Sequence, residues 1–303
     1  MPNDHHGHGH GHGIGADAGD RRLGLAIAVN LALTVAQIAG GVLSGSVALI
    51  ADAVHNLSDA LSLLLAFVAR RIARRPADAA MSFGYRRAES VAALMSYTAL
   101  IVVALYLAGE GAMRLFDPPP VDGWIVVVVA GVALAVDTAT ALLTWRMAKE
   151  SANVRAAFLH NLADALGSVA VIVAGTLILL FDWRLVDPLA TLAIAGWILW
   201  TALREIRPVI RLLMDAAPDA PDAAGVRAAM TAVEGVAGVH HLHLWRIDET
   251  RIALEAHVAL AAGADAQGVR ARVKAMLARD LGIGHATLEV EPHGTACTDA
   301  VRA

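Results

Sequence analysis

Apolar residues run in six long blocks through the first two thirds of the chain, separated by short polar or basic stretches. The blocks lie at about Leu23–Val42, Val47–Ile72, Val91–Ala112, Trp124–Met147, Phe158–Phe181 and Leu185–Leu203. Each is close to the roughly 20 residues a helix needs to cross about 30 Å of hydrocarbon, so the pattern predicts six transmembrane helices. Small residues inside them, as in Ala39-Gly40-Gly41 and Ala195-Gly196, suit close helix approach in lipid. After Pro208 the period changes. Asp222–Val233 reads as an amphipathic helix and Ala266–Leu281 as a helix. Val239–Ile247, Arg251–Leu260 and Ala286–Pro292 read as strands, the first two around an Asp248-Glu249-Thr250 turn. The order α-β-β-α-β predicts a C-terminal α+β, ferredoxin-like domain. The fold class is then membrane α-helical with an appended cytoplasmic domain, joined through Asp215–Asp222 with Pro218 and Pro221. The expected division is a His-rich tail over 1–20, a six-helix domain over 21–207 and a cytoplasmic domain over 208–303.

Basic residues orient this plan. Arg70, Arg71, Arg74, Arg75, Arg86 and Arg87 lie between the second and third blocks; Arg146, Lys149 and Arg155 lie between the fourth and fifth; Arg204, Arg207 and Arg211 follow the sixth. The opposite connections carry only Arg114 and Arg184, so the positive-inside rule places both termini in the cytoplasm. A hydrophobic share of 57% and a mean hydropathy of +0.58 agree with a part-membrane, part-aqueous protein. A net charge of -4 gives no basic footprint for nucleic acid, and that class is set aside. The single cysteine, Cys297, excludes an intrachain disulfide framework. The first residues lack the plan of a signal peptide and are expected to be retained.

One polar motif occurs twice inside the apolar blocks. His55-Asn56-Leu57-Ser58-Asp59-Ala60-Leu61 of the second reappears as His160-Asn161-Leu162-Ala163-Asp164-Ala165-Leu166 of the fifth. His-x-x-x-Asp spacing places both side chains one turn apart on one helix face. The second block runs inward and the fifth outward, so neighbouring copies would be antiparallel, with His55 level with Asp164 and Asp59 beside His160. Two nitrogens and two oxygens then surround one point, a tetrahedral set that Zn²⁺ accepts. Two carboxylates at mid-membrane cost roughly 5–7 kcal/mol on insertion scales before compensation. A dication neutralises both, and protons compete for the same groups. Asp52, one turn before His55, is either a partner to it, part of an access path, or a cap near the outer surface. Asp137 in the fourth block is either pathway lining or an interhelical hydrogen-bonding group.

These features together resemble the cation diffusion facilitator family of zinc-type metal/proton antiporters. The resemblance rests on the six spans, the paired His-x-x-x-Asp motifs, Phe83-Gly84-Tyr85 with Arg87 and Glu89 before the third span, and Val239-His240 through Leu242-His243-Leu244-Trp245. It covers roughly Leu23 to Pro292. It implies a homodimer in a bacterial inner membrane that moves divalent cations out of the cytoplasm by alternating access driven by inward proton flow. The transport ligands it implies are His55, Asp59, His160 and Asp164. Histidine rather than aspartate at position 55 points within the family to zinc over cadmium. No resident cofactor is expected, zinc being cargo and regulatory ion. Co²⁺, Ni²⁺, Fe²⁺ and Cd²⁺ remain alternative cargoes. An intramembrane metalloenzyme is the rival from another class, opposed by the lack of His-Glu-x-x-His.

The family places regulatory metal in the C-terminal domain, and matching motifs select His240, His257 and Glu291 from a field that includes His241, His243, His285, Glu289 and His293. Strict strand alternation cannot turn His240, His241 and His243 to one face, and His243 before Trp245 reads as structural. Some members bind metal in the connection between the second and third spans. Here Arg70–Arg87 holds Asp78 and no histidine, so no metal is expected there, and Arg87 is expected to pair with Asp215. His5, His6, His8, His10 and His12 alternate with glycine as a metal-capturing tail beside the cytoplasmic entrance. Cys297 with His293 reads as an inert thiol or an added tail ligand.

Overall fold

A computed structural model describes residues 31–145, 152–292 and 294. Its helices follow the apolar blocks. They are α1 (Leu31–Ser44), α2 (Val47–Ala73), α3 (Ala88–Arg114), α4 (Gly123–Trp145), α5 (Ala152–Phe181) and α6 (Val186–Leu213). Among the described residues α2 to α6 are long and apolar enough to cross a membrane, and α1 is shorter. The expected first span starts at Leu23, outside the described residues. The soluble part follows as α7 (Ala223–Thr231), β1 (Val236–Arg246), β2 (Ile252–Leu260), α8 (Ala266–Leu281) and β3 (His285–Glu291).

Pro208, expected to mark the end of the membrane part, lies inside α6, which continues to Leu213. A proline removes its own backbone donor but leaves the neighbouring ladder bonds available. The helix ends only where Asp215 takes positive φ and Ala216 N–H donates back to Arg211 O.

Contacts divide the chain into two compact units, residues up to Leu64 with Ser96–Arg204, and Leu65–Met95 with Glu205–Ala303. In the first unit α2 is central. Val47 and Ala51 pack with Leu107 of α3 and Ala195 of α6, while Leu49 packs with Val126 and Ala130 of α4 and Val171 of α5. The N-terminus of α2 is capped twice. Ser46 Oγ accepts from Leu49 N–H and donates to Asp187 of α6, whose other oxygen accepts from Val47 N–H. The tight α4–α5 seam depends on glycine: a Cβ at Gly123 would stand 2.6 Å from Gly175 O. Large apolar side chains such as Val102, Tyr106, Trp124 and Trp197 point outward, as lipid-facing positions do.

In the second unit the sheet has the order β1-β2-β3, with β1 antiparallel and β3 parallel to β2. The parallel step needs a crossover, which α8 supplies. Val269, Val273 and Leu277, spaced four apart on α8, bury one face against Val226 and Met230 of α7 and Leu254 and Val258 of β2. Asp222 and Asp265 cap α7 and α8, and Gly282 closes α8 in the left-handed conformation. The expected α-β-β-α-β order is thus present, with β1 starting three residues earlier than Val239.

Candidate metal centres

The membrane constellation is assembled by α2 and α5. His55 Nε2 lies 3.4 Å from Asp164 Oδ1, with the aspartate side chain buried and the imidazole a quarter exposed. Contact between the first member of one motif and the last of the other is what antiparallel helices require. Asp59 and His160 fall within α2 and α5, but their side chains lie outside the described ones.

Around this pair the structure gathers polar groups that composition alone did not connect. Gln37 of α1 donates from Nε2 to Asp52 Oδ2 at 2.7 Å and accepts from Asn56 Nδ2 at 3.2 Å. Ser168 Oγ stands 3.5 Å from both Asp52 Oδ2 and Asp137 Oδ2. Gln37, Asp52, Asn56, Asp137 and Ser168 are all buried. Asp52 is therefore not a surface cap, and Asp137, for which no motif offered a partner, reaches α5 through Ser168. Gly167 makes room for this arrangement, since a Cβ there would lie 3.1 Å from Asp52 Oδ1. The first repeat has Ser62 at the matching place, so the two copies are not interchangeable. The signal for Gln37 and Ser168 was an amide and a hydroxyl inside apolar helices. It is weak, because such groups also bond locally.

The second cluster lies on β1, β2 and β3. His257 Nδ1 is 2.8 Å and His240 Nε2 3.2 Å from Glu291 Oε1, with His240 also 3.1 Å from Oε2. His257 and Glu291 are buried and His240 is partly exposed. One ligand atom from each of these three residues lies within 4.8 Å of the others. Glu289 approaches the far nitrogen of His257 at 3.6 Å.

Strand alternation misjudged the neighbouring histidines. The pairing passes from His240↔His257 to His243↔Glu255, so β1 spends three residues where β2 spends two, a β-bulge. His241 sits in the bulge at φ 47°. Its ring meets His243 edge-on and lies tilted against His257, with centroids 4.7 Å apart in each case, while His240 also meets His257 edge-on at 5.4 Å. The extra residue lets consecutive histidines converge on His257. His243, expected to be structural, is exposed.

The α2–α3 connection is organised by Asp78, which accepts from Ala80 N–H, Met81 N–H and the Tyr85 hydroxyl. The Tyr85 hydrogen bond, with those two amides, holds the carboxyl of Asp78 below the usual range. Arg87 pairs with Asp215, as expected, and also donates to Ile247 O and Arg246 O. The His-rich tail, His293 and Cys297 lie outside the described residues.

The sequence model of a cation efflux transmembrane domain matches residues 23–214, and that of a cation efflux protein cytoplasmic domain matches 218–293. The chain belongs to the cation efflux family. The family makes it an integral membrane transporter that carries out efflux of divalent metal cations, not an enzyme. Among relatives, the zinc transporter ZitB of Pectobacterium atrosepticum is 33% identical over 274 residues, 89% of this chain and 85% of its own. The cadmium, cobalt and zinc/H(+)-K(+) antiporter of Bacillus velezensis is 31% identical over 262 residues, 85% of this chain and 83% of its own. A solved structure, the metal-bound C-terminal domain of the CzcD transporter from Cupriavidus metallidurans, is 31% identical, covers 23% of this chain and 97% of its own, and has a TM-score of 0.22. Residues 23–214 and 218–293 thus match the transmembrane and the cytoplasmic domain of cation efflux proteins.

Proposed function

We propose that this cation efflux protein exports Zn²⁺ from the cytoplasm in exchange for protons, through a site made by His55, Asp59, His160 and Asp164. The observation that carries the reading is the His55–Asp164 contact. From Asp52 to His55 on α2, the partner on α5 moves back from Ser168 to Asp164. The same antiparallel register, continued by one turn, pairs positions 59 and 160. Imidazole nitrogens and carboxylate oxygens suit Zn²⁺, and each must lose its proton to bind it, which couples cargo to counter-ion. Names of relatives that include zinc and H⁺ support the same cargo and coupling.

In this reading residues 1–20 capture metal, 21–207 transport it, and 208–303 bind metal and dimerise, with both termini in the cytoplasm of a bacterial inner membrane. His240, His257 and Glu291 form the regulatory zinc site, and their zinc biases inward- against outward-facing states by binding one of them better. The test is zinc flux into vesicles reconstituted with the full chain under an imposed pH gradient. Flux that depends on the gradient and is lost in Asp164→Ala is the expected result. Flux unchanged by the substitution would remove Asp164 from the site.

A further inference from the structure

Asp52 of α2 and Asp137 of α4 are buried carboxyl groups that lie outside the four proposed zinc ligands. They meet over one hydroxyl, since Ser168 Oγ of α5 is 3.5 Å from Asp52 Oδ2 and 3.5 Å from Asp137 Oδ2. Gln37 of α1 donates to the same Asp52 oxygen at 2.7 Å and is itself held by Asn56 Nδ2 at 3.2 Å. Gln37 and Ser168 have no exposed surface. A serine hydroxyl has one proton to donate, and ionised carboxylates only accept. When Ser168 donates to Asp52, its contact with Asp137 is a hydrogen bond only if the Asp137 carboxyl is the donor. Turning the hydroxyl round puts the donor on Asp52. The row of oxygens therefore needs one proton beyond the hydroxyl's own.

Charge leads to the same count. α4 carries no ionisable side chain besides Asp137, and α1 carries none. No lysine or arginine occurs in α2 before Arg70 or in α5 after Arg155. On the face of α2 that meets α3 and α6, Arg114 is engaged by Glu110 and Gly45 O, and Asp187 caps α2. The charged groups that act on Asp52 are Asp137, His55 and Asp164. Ionised carboxylates in an apolar bundle with no arginine or lysine beside them are costly, and two carboxyls that share a site hold a proton between them.

We propose that Asp52 and Asp137 share one proton through Ser168, and that this is one of the protons exchanged for zinc, which rests on the exchange read above. Asp52 precedes His55 by three residues, about 4.5 Å along the helix axis. Zinc at His55 and Asp164 places two positive charges there and expels the shared proton to water on the cytoplasmic side. In the orientation proposed above, a proton from outside meets the pair before it meets the ligands, and restores it once zinc has left. Ser168 passes the proton between the two carboxyls by turning its hydroxyl, and Gln37 fixes the Asp52 oxygen that faces it.

The experiment is infrared difference spectroscopy of the full chain in vesicles at neutral pH, without and then with Zn²⁺, which reads the C=O stretch of protonated carboxyl groups. In the unaltered chain zinc is expected to remove the band of a protonated carboxyl. Asp137→Asn is expected to remove that band before zinc is added, Asp52→Asn to remove the same band, and the double variant to remove no more than either. Protons released per zinc into a weak buffer fall by one in each of the three. Gly131→Ala, on the same helix as Asp137 with nothing within 4 Å of the added methyl, leaves both readings unchanged. A double variant that loses twice the intensity of either single one overturns the proposal, because the two protons are then separate. A band that survives in Asp137→Asn, or that zinc leaves in place, overturns it as well. Should an aspartate variant fail to fold, Ser168→Ala decides: it keeps both carboxyls and is expected to shift the band, and an unmoved band overturns the sharing. Zinc flux indifferent to a pH gradient in the unaltered chain overturns the exchange itself, whereas an absent band overturns only the shared proton.

Discussion

Replacing Glu291 by glutamine separates the metal-ligand role proposed for it from its role in the domain. Glu291 is 6% exposed and one of its carboxylate oxygens lies 2.8 Å from His257 Nδ1 and 3.2 Å from His240 Nε2. Glutamine keeps the volume and one acceptor. The loss in the zinc-free protein is then the difference between charge-assisted and neutral hydrogen bonds, about 1 kcal/mol, partly offset because a buried charge is removed. Zinc binding suffers far more, since one of three ligands and the only negative charge among them are lost. Outer partners of metal sites alone are worth 10–100-fold in affinity, so a ligand loss of about 100-fold is a lower expectation. At zinc 100 times the dissociation constant, the unaltered site gains about 2.7 kcal/mol, and at the same zinc the variant gains about 0.4 kcal/mol. Hydrogen exchange in the full chain reads this locally. Peptides covering Val236–Arg246 and His285–Glu291 are expected to exchange about 100-fold more slowly with zinc, and only about twofold more slowly in Glu291→Gln. A variant that keeps the full zinc protection would show that Glu291 is no ligand and would refute the reasoning.

Two further outcomes follow from the same structure. Gly123→Ala drives a methyl into Gly175 O and the Leu179 backbone, so α4 and α5 must separate at a cost of about 1–3 kcal/mol. Gly131→Ala on the same helix meets nothing within 4 Å, so thermal unfolding in detergent should separate the two variants. Asp248 is pushed up by burial, but hydrogen bonds from Thr250 and Arg251 outweigh this and leave its carboxyl below the usual range. A lowered folded value contributes stability above the unfolded value near 3.9 that is lost as pH falls through the folded one. Exchange of the β1–β2 turn should therefore accelerate below about pH 4 in the parent and much less in Asp248→Asn.

Much of the candidate site is legible in the amino-acid sequence. A charged motif inside an apolar run is costly wherever the helix packs, so its repetition pointed to His55 and Asp164 without knowledge of their neighbours. The antiparallel argument needed only the direction of two spans, and the contact between His55 and Asp164 agrees with it. Motif matching likewise selected His240, His257 and Glu291, which three strands bring together. The same reasoning failed for His241, because a bulge adds one residue to one strand and leaves no mark in hydropathy.

The chain by itself determined where the membrane helices and the small α+β domain lie, because burial in hydrocarbon and strand alternation act over a few neighbouring residues. It also determined which groups carry the chemistry, since an ionisable side chain in an apolar run needs a partner. Only tertiary structure decided which partner. Gln37, Asp52, Asn56, Asp137 and Ser168 come from four helices, and nothing local says that they share one buried network. Their meeting depends on how closely α2 can approach α5, which Gly167 permits by leaving space for the Asp52 carboxylate. Helix formation is set by short-range hydrogen bonds. The polar contacts are set by side-chain volume across an interface, a quantity that belongs to the packed structure.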